Sequence, residues 1–127
     1  MSAVNLANAW LNVLSGTTFT APANTYVKLH TGDPGSAGAT AASANTTRVV
    51  LAWAAPSPAG TKAIQATLPV WATWAAGSET ISHISIWDNL TVGNFLFSVQ
   101  LTASKPMTNG DTLNLTALSF ALTPLAA

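Results

Sequence analysis

Two histidines and four acids are the groups through which this chain could run acid–base or metal chemistry. His30, Asp33, His83 and Asp88 can form His/carboxylate pairs, and His30 and Asp33 flank one tight turn. A hydrolytic triad would add a serine on a strained strand-to-helix turn, marked G-x-S-x-G. That motif is absent, and Gly35-Ser36-Ala37-Gly38 only imitates it inside a soft loop. His30 and Asp33 therefore read as a strand-end histidine and a turn aspartate. A zinc site needs three or four His, Cys, Asp or Glu ligands; the two histidines fall in separate segments and cysteine is missing. Gly32, Gly35 and Gly38 lack the Lys-Ser/Thr of a phosphate loop. Glu79 and Asp88 are a glycosidase pair by default only, since that chemistry needs two carboxylates across a cleft. We therefore expect no catalytic residue, no metal and no cofactor.

The five tryptophans, Trp10, Trp53, Trp71, Trp74 and Trp87, carry another kind of chemistry. An exposed row would stack on sugar rings. Equally, large flat rings serve as core pieces and as interface anchors, and in so neutral a chain we favour core and interface.

The elements that must position these residues follow from periodicity. Residues 3–14 alternate at helical spacing, with Val4, Ala7, Leu11 and Leu14 on one stripe and Leu6, Trp10 and Val13 on a second. Asn5, Asn8 and Asn12 make a narrow polar face. Ser2 is the expected N-cap and Ser15-Gly16 the stop. Two apolar stripes on one short helix imply cover on more than one side, so Val4, Leu6, Trp10, Leu11 and Leu14 are candidate interface residues. From Thr25 the period becomes two, which predicts strands over 25–31, 48–53, 63–68, 81–87 and 94–101. Gly32-Asp33-Pro34-Gly35 is a turn, residues 35–47 a long flexible or extended loop, and Pro56–Gly60 a break. Lys105-Pro106 and Asn109-Gly110-Asp111 punctuate the next connection. Over 112–122 the apolar phase slips from odd to even, which predicts two short strands broken near Thr116–Ala117. The fold class is mostly β: an antiparallel β-sandwich or flattened barrel with one N-terminal amphipathic helix. We read residues 1–127 as one domain, with the helix in 1–16 and the β-domain in 17–127.

Composition bears on partners. Only 6% of the residues are charged and the net charge is zero, against about 25% charged in an ordinary soluble domain. A freely diffusing protein uses charge to keep its neighbours apart; a neutral surface of Ala, Thr, Ser and Asn suits one packed against other proteins. Lys28, Arg48, Lys62 and Lys105 are scattered, so no basic patch addresses nucleic acid or a membrane. The N-terminus lacks the charged and continuous apolar regions of a signal peptide, and we expect assembly in a cytoplasm.

Tyr26-Val27-Lys28-Leu29-His30-Thr31-Gly32-Asp33-Pro34-Gly35 resembles the "Y-x-x-L-H-T-x-D-P-G" strand and turn of a family of small tailed-bacteriophage virion proteins. The family is common in actinobacterial phages and is variously labelled head decoration or tail fibre protein. The likeness continues in order through the Gly/Ala/Ser loop, Arg48, the "H-x-x-I-W-D" strand (His83, Ile86, Trp87, Asp88) and Asn94-Phe95-Leu96. It ends in the closing turn, where Asn109-Gly110-Asp111 is one residue shorter than the family's "N-x-G-D". The resemblance implies a virion structural protein assembled in the host. Its motif residues His30, Asp33, Pro34, Gly35, Trp87 and Asp88 then hold strand ends and turns. Together with the low charge, it leads us to expect a capsid decoration (cement) protein that bridges subunits of the major capsid protein or contacts other virion proteins. Self-association as a trimer is the favoured form. The alternative is a tail fibre or tip component, or a glycan-binding receptor-recognition module.

Overall fold

The computed structural model of the chain describes residues 4–18, 20–54 and 62–121. The expected N-cap Ser2 and the Pro56–Gly60 break lie outside them, and so does the side chain of Val4. One helix, α1 (Val4–Leu14), is followed by β1 (Thr25–His30), β2 (Val49–Trp53), β3 (Lys62–Thr67), β4 (Val70–Trp71), β5 (Glu79–Trp87), β6 (Phe95–Met107), β7 (Leu113–Asn114) and β8 (Ser119–Ala121). The helix ends where Ser15-Gly16 stops it. Gly16 has φ +80, its N–H bonds Val13 O, and the Thr17 N–H reaches back to Asn12 O. These are the two crossed bonds of a glycine C-cap.

The strands form a six-stranded sheet in the order β6-β5-β1-β2-β3-β8 and a two-stranded sheet β4-β7, every pair antiparallel. The two layers make the expected sandwich. The barrel alternative fails because β6 and β8 end the large sheet without pairing to each other. One face of the large sheet presents Val27 and Leu29, Leu51, Ile84 and Ile86; Trp71 and Leu113 from the small sheet close over it, with Trp74, Met107 and Leu118. Each such aliphatic side chain contributes about 1.5–3 kcal/mol by leaving water.

Where the phase slips near the C-terminus, β7 and β8 are indeed separate strands, and they pair with different partners, β4 and β3. Other expectations are corrected. β6 runs straight through Lys105-Pro106 to Met107. Proline is tolerated there because β6 is a sheet edge, where a missing N–H leaves no partner strand unpaired. Strict alternation along 94–101 puts Phe95, Phe97, Val99 and Leu101 on a single face, and that face is broken as well. Ile86 pairs with Phe97 but Trp87 pairs with Phe95, so one extra residue, Leu96, bulges and turns Phe95 to the opposite face. A larger slip lies between Ile81↔Lys105 and His83↔Gln100; strict alternation puts Ile81 on the face of His83, but beyond the slip it joins Ile84 and Ile86 in the core.

Candidate functional site

The residues that carry the family motif cluster on the second face of the large sheet. His30 and Ser85 are both 0% exposed. His30 Nδ1 lies 2.9 Å from Thr40 O; a carbonyl can only accept, so Nδ1 carries the proton. Nε2, 2.7 Å from Ser85 Oγ, then accepts the Ser85 hydroxyl, while Trp87 Nε1–H donates to the same oxygen at 2.8 Å. The chain Trp87→Ser85→His30→Thr40 satisfies every polar atom in it. Burial, reinforced by the charge of Lys28, holds His30 below the usual imidazole range, with the bond to Thr40 opposing. The pair has the outline of a Ser–His dyad, but a backbone carbonyl stands where a triad has its carboxylate, and neither side chain reaches solvent.

Trp87 supports a second assembly. The Arg48 guanidinium sits 4.0 Å from its ring centroid, Lys28 Nζ is 5.9 Å away, and Phe95 tilts against it at 5.7 Å. Burial lowers the pKa of both cations, with Asp88 opposing the shift at Arg48. Arg48 Nη1 donates to Asn89 O and Val92 O at 2.7 and 2.8 Å. Asp88 accepts from the Asn94 backbone and side-chain amides at 2.6 and 2.9 Å. The β5–β6 turn is thus braced from both ends, and its tip shows Leu90 and Val92 to solvent.

Asp33 Oδ1 accepts the Gly35 N–H at 2.9 Å, as a turn aspartate does; it does not pair with His30. Pro34 is fully buried and its carbonyl accepts the Thr40 N–H. Gly35 and Gly38 both have φ +70. Of the flexible or extended loop expected over 35–47, the structure shows an irregular loop that is anchored at several points. Glu79, at the start of β5, accepts from Ser43 Oγ and, at 3.1 Å, from the Ala44 N–H, and Ser43 N–H bonds Leu29 O. A Cβ on Gly38 would fall 2.5 Å from Phe95 Cδ2, on a ring that is itself buried. Gly38→Ala adds left-handed backbone strain to that clash and should cost about 2–4 kcal/mol, read as a lower urea midpoint at unchanged slope.

The remaining chemistry is displaced by geometry. Glu79 and Asp88 lie at the two ends of β5, about 30 Å apart along nine residues, against roughly 5–9.5 Å for glycosidase carboxylates. Among the described residues no three His, Cys, Asp or Glu gather as a metal site, and no helix is long and apolar enough to cross a membrane. Trp71 and Trp74 are core residues. Indole N–H groups of Trp53, Trp71 and Trp74 bond Thr25 Oγ1, Thr47 O and Gly77 O. The closing turn pins Trp74 from outside: Trp74 N–H donates to Asp111 O, Gly110 N–H to Trp74 O, and Gly77 N–H to Asn109 Oδ1. Thr108 gives Asp111 two hydrogen bonds, which hold its carboxyl below the usual range.

Of the helix candidates, Leu6 is buried within the chain, while Trp10, Leu11 and Leu14 are exposed, Leu11 by 62% and Leu14 by 84%. Val13 is exposed beside them. α1 lies against β6. Along β6 a groove of about 640 Å³ opens between residues 99–105 and the 112–118 segment, with Leu29, Ile84 and Trp71 at its depth. Sequence reasoning missed Ser85 and Thr40 and named Glu79 and Gly38 for other roles only; the partners His30, Ser43 and Phe95 that give these residues their roles are brought to them by the fold.

A small β-rich module whose motif side chains brace its own turns, and whose uncharged helix faces outward, has the build of a virion structural protein. Over residues 1–123 the chain matches the Gp80 family, described as podophage GP4 fiber I protein gp80, and it belongs to that family. Comparison with curated proteins gives no match. The family makes this a phage virion protein, and its fibre description fits the tail-fibre alternative better than head decoration.

Proposed function

We propose that this chain is a fibre component of the phage particle, acting through assembly and without catalysis. The observation that carries the reading is the match of residues 1–123 to a family described as a fibre protein. The site geometry supports it. His30, Asp33, Trp87 and Asp88 are all engaged within the chain's own strands and turns, and the buried His30–Ser85 pair is sealed from substrate. Low charge, which suggested a head cement, suits a fibre subunit packed among neighbours equally well. Its partners are virion proteins, copies of itself included, with a trimer favoured; nucleic acid and membrane are not among them, and assembly takes place in the host cytoplasm. A tryptophan platform for glycans is not part of the proposal, because Trp53, Trp71, Trp74 and Trp87 direct their indole N–H groups inward. Quantitative mass spectrometry of purified virions tests the reading: a handful to some tens of copies, with immunogold label at the tail, is expected. Hundreds of copies distributed over the head would restore the cement role and overturn the fibre.

A further inference from the structure

We propose that Asn109 is a modification site: its side-chain amide can close on the Gly110 nitrogen as a succinimide, and the folded turn holds that reaction off until the turn opens. The inference stands apart from the fibre reading. Asn109 is the one asparagine of the sequence that glycine follows; every other precedes a residue whose side chain screens the next nitrogen. Gly110 has no such screen, and the space where its Cβ would stand is open. Both residues are exposed, so water reaches them. In the reaction the Gly110 nitrogen gives its proton to water and attacks Asn109 Cγ. The new N–Cγ bond replaces the Cγ–Nδ2 bond, and Nδ2 takes up a proton and leaves as ammonia. Water then opens the ring at either carbonyl, giving aspartate or isoaspartate at 109. Nothing is oxidised or reduced.

In the folded chain both reacting groups are tied. The Gly110 N–H donates to Trp74 O at 2.8 Å, and a carbonyl cannot carry the proton away. Asn109 Oδ1 accepts the Gly77 N–H at 2.8 Å, which fastens the side chain to another segment instead of leaving it to rotate. These anchors are themselves anchored. Trp74 is buried, its N–H donates to Asp111 O at 2.7 Å, and its indole N–H holds Gly77 O at 3.0 Å. The Thr108 N–H and hydroxyl both donate to Asp111 Oδ2, which closes the turn from outside. Freeing Gly110 therefore means lifting the turn from a core tryptophan. The folded chain then reacts at the rate of a free chain multiplied by the population of the opened turn. The step runs one way. Isoaspartate puts an extra carbon into the main chain between 109 and 110, so the turn cannot close again on its old bonds.

The test needs only the full-length chain at mildly alkaline pH, folded in one arm and held in urea above its unfolding midpoint in the other. Isoaspartate and aspartate at 109 are followed by peptide mapping and mass spectrometry. The unfolded arm should modify at 109 faster than at any other asparagine, and the folded arm should be slower there by about two orders of magnitude or more. Asp111→Ala removes the acceptor of both Thr108 bonds from an exposed turn, and should narrow the folded-to-unfolded ratio about tenfold. Asp111→Asn loses the same charge but keeps a side-chain oxygen for Thr108, and should stay close to the parent. Taking each variant's own ratio cancels the effect of the charge on the reaction itself. No preference for 109 in urea would mean that Asn109 is not a modification site. Equal rates in the two arms of the parent would mean that the turn guards nothing, and a folded Asp111→Ala with the parent's ratio would put the protection outside this turn. Any of these results overturns the proposal.

Discussion

His30→Ala should unfold at a urea concentration far below that of the parent chain, having lost about 4 kcal/mol. Removing the ring leaves a cavity in a site with no solvent access, and large-to-small changes at such positions cost about 3–5 kcal/mol. It also strips Thr40 O and Ser85 Oγ of their partner, each orphaned group adding about 1–3 kcal/mol unless water enters the cavity. The two contributions overlap, because a cavity large enough for water re-satisfies the polar atoms. His30→Phe separates them: it restores volume and leaves the polar atoms unpaired, so it should recover only part of the loss. An alanine variant as stable as the parent would show that the Trp87–Ser85–His30–Thr40 chain braces nothing.

The same residue sets a pH dependence. His30 titrates below its unfolded value of about 6.5, so the unfolded chain binds the extra proton first as pH falls. The stabilisation from neutral His30 is complete above about 6.5 and is lost progressively below it, down through the folded pKa. Protonation of Nε2 turns the acceptor of the Ser85 hydroxyl into a donor and leaves that buried hydroxyl hydrogen without a target. Urea midpoints should therefore fall between pH 7.5 and pH 5, a window chosen to stay above carboxylate titration. The slope should persist in His83→Gln and vanish in His30→Phe.

What the sequence disclosed depended on how local the cause was. Alternation placed β1, β2, β3 and β5 to within a residue or two of their observed ends, because period two is written by each strand for itself. The phase slip at 112–122 revealed β7 and β8 for the same reason. The expected face of β6 failed at Phe95, where a bulge at Leu96 depends on pairing with β5 and not on the β6 sequence. Proline at 106 looked like a breaker because edge position is a property of the sheet. The 35–47 loop looked free because its anchor, Glu79, lies 36 residues beyond Ser43. In the motif cluster, the turn aspartate at 33 was legible since an aspartate reaches its own backbone two residues on. Ser85 was not: a small polar residue between Ile84 and Ile86 acquires meaning only when β1 brings His30 beside it. Exposed Leu11 and Leu14 were legible as an apolar row because helical spacing is local, whereas the groove along β6 is formed by segments joined only in the fold.

Leu11→Asp should abolish assembly while leaving the subunit folded. Leu11 is 62% exposed in the single chain, so there the substitution touches helix propensity and little else, about 0.5 kcal/mol. If the helix stripe is an interface in the assembled particle, the position enters an apolar contact there. A carboxylate buried without a partner costs about 3–5 kcal/mol, which weakens association by two to three orders of magnitude. Asn8→Asp is the matched control. It adds the same charge to the same helix at an exposed residue of the polar face, and should assemble as the parent does. Sedimentation with far-ultraviolet circular dichroism reads both properties at once. A folded monomer for Leu11→Asp beside a parental oligomer for Asn8→Asp is the expected pair of results. Equal oligomers from both would mean that the helix stripe faces water throughout the life of the particle, and the apolar face would then need a different partner from any fellow subunit.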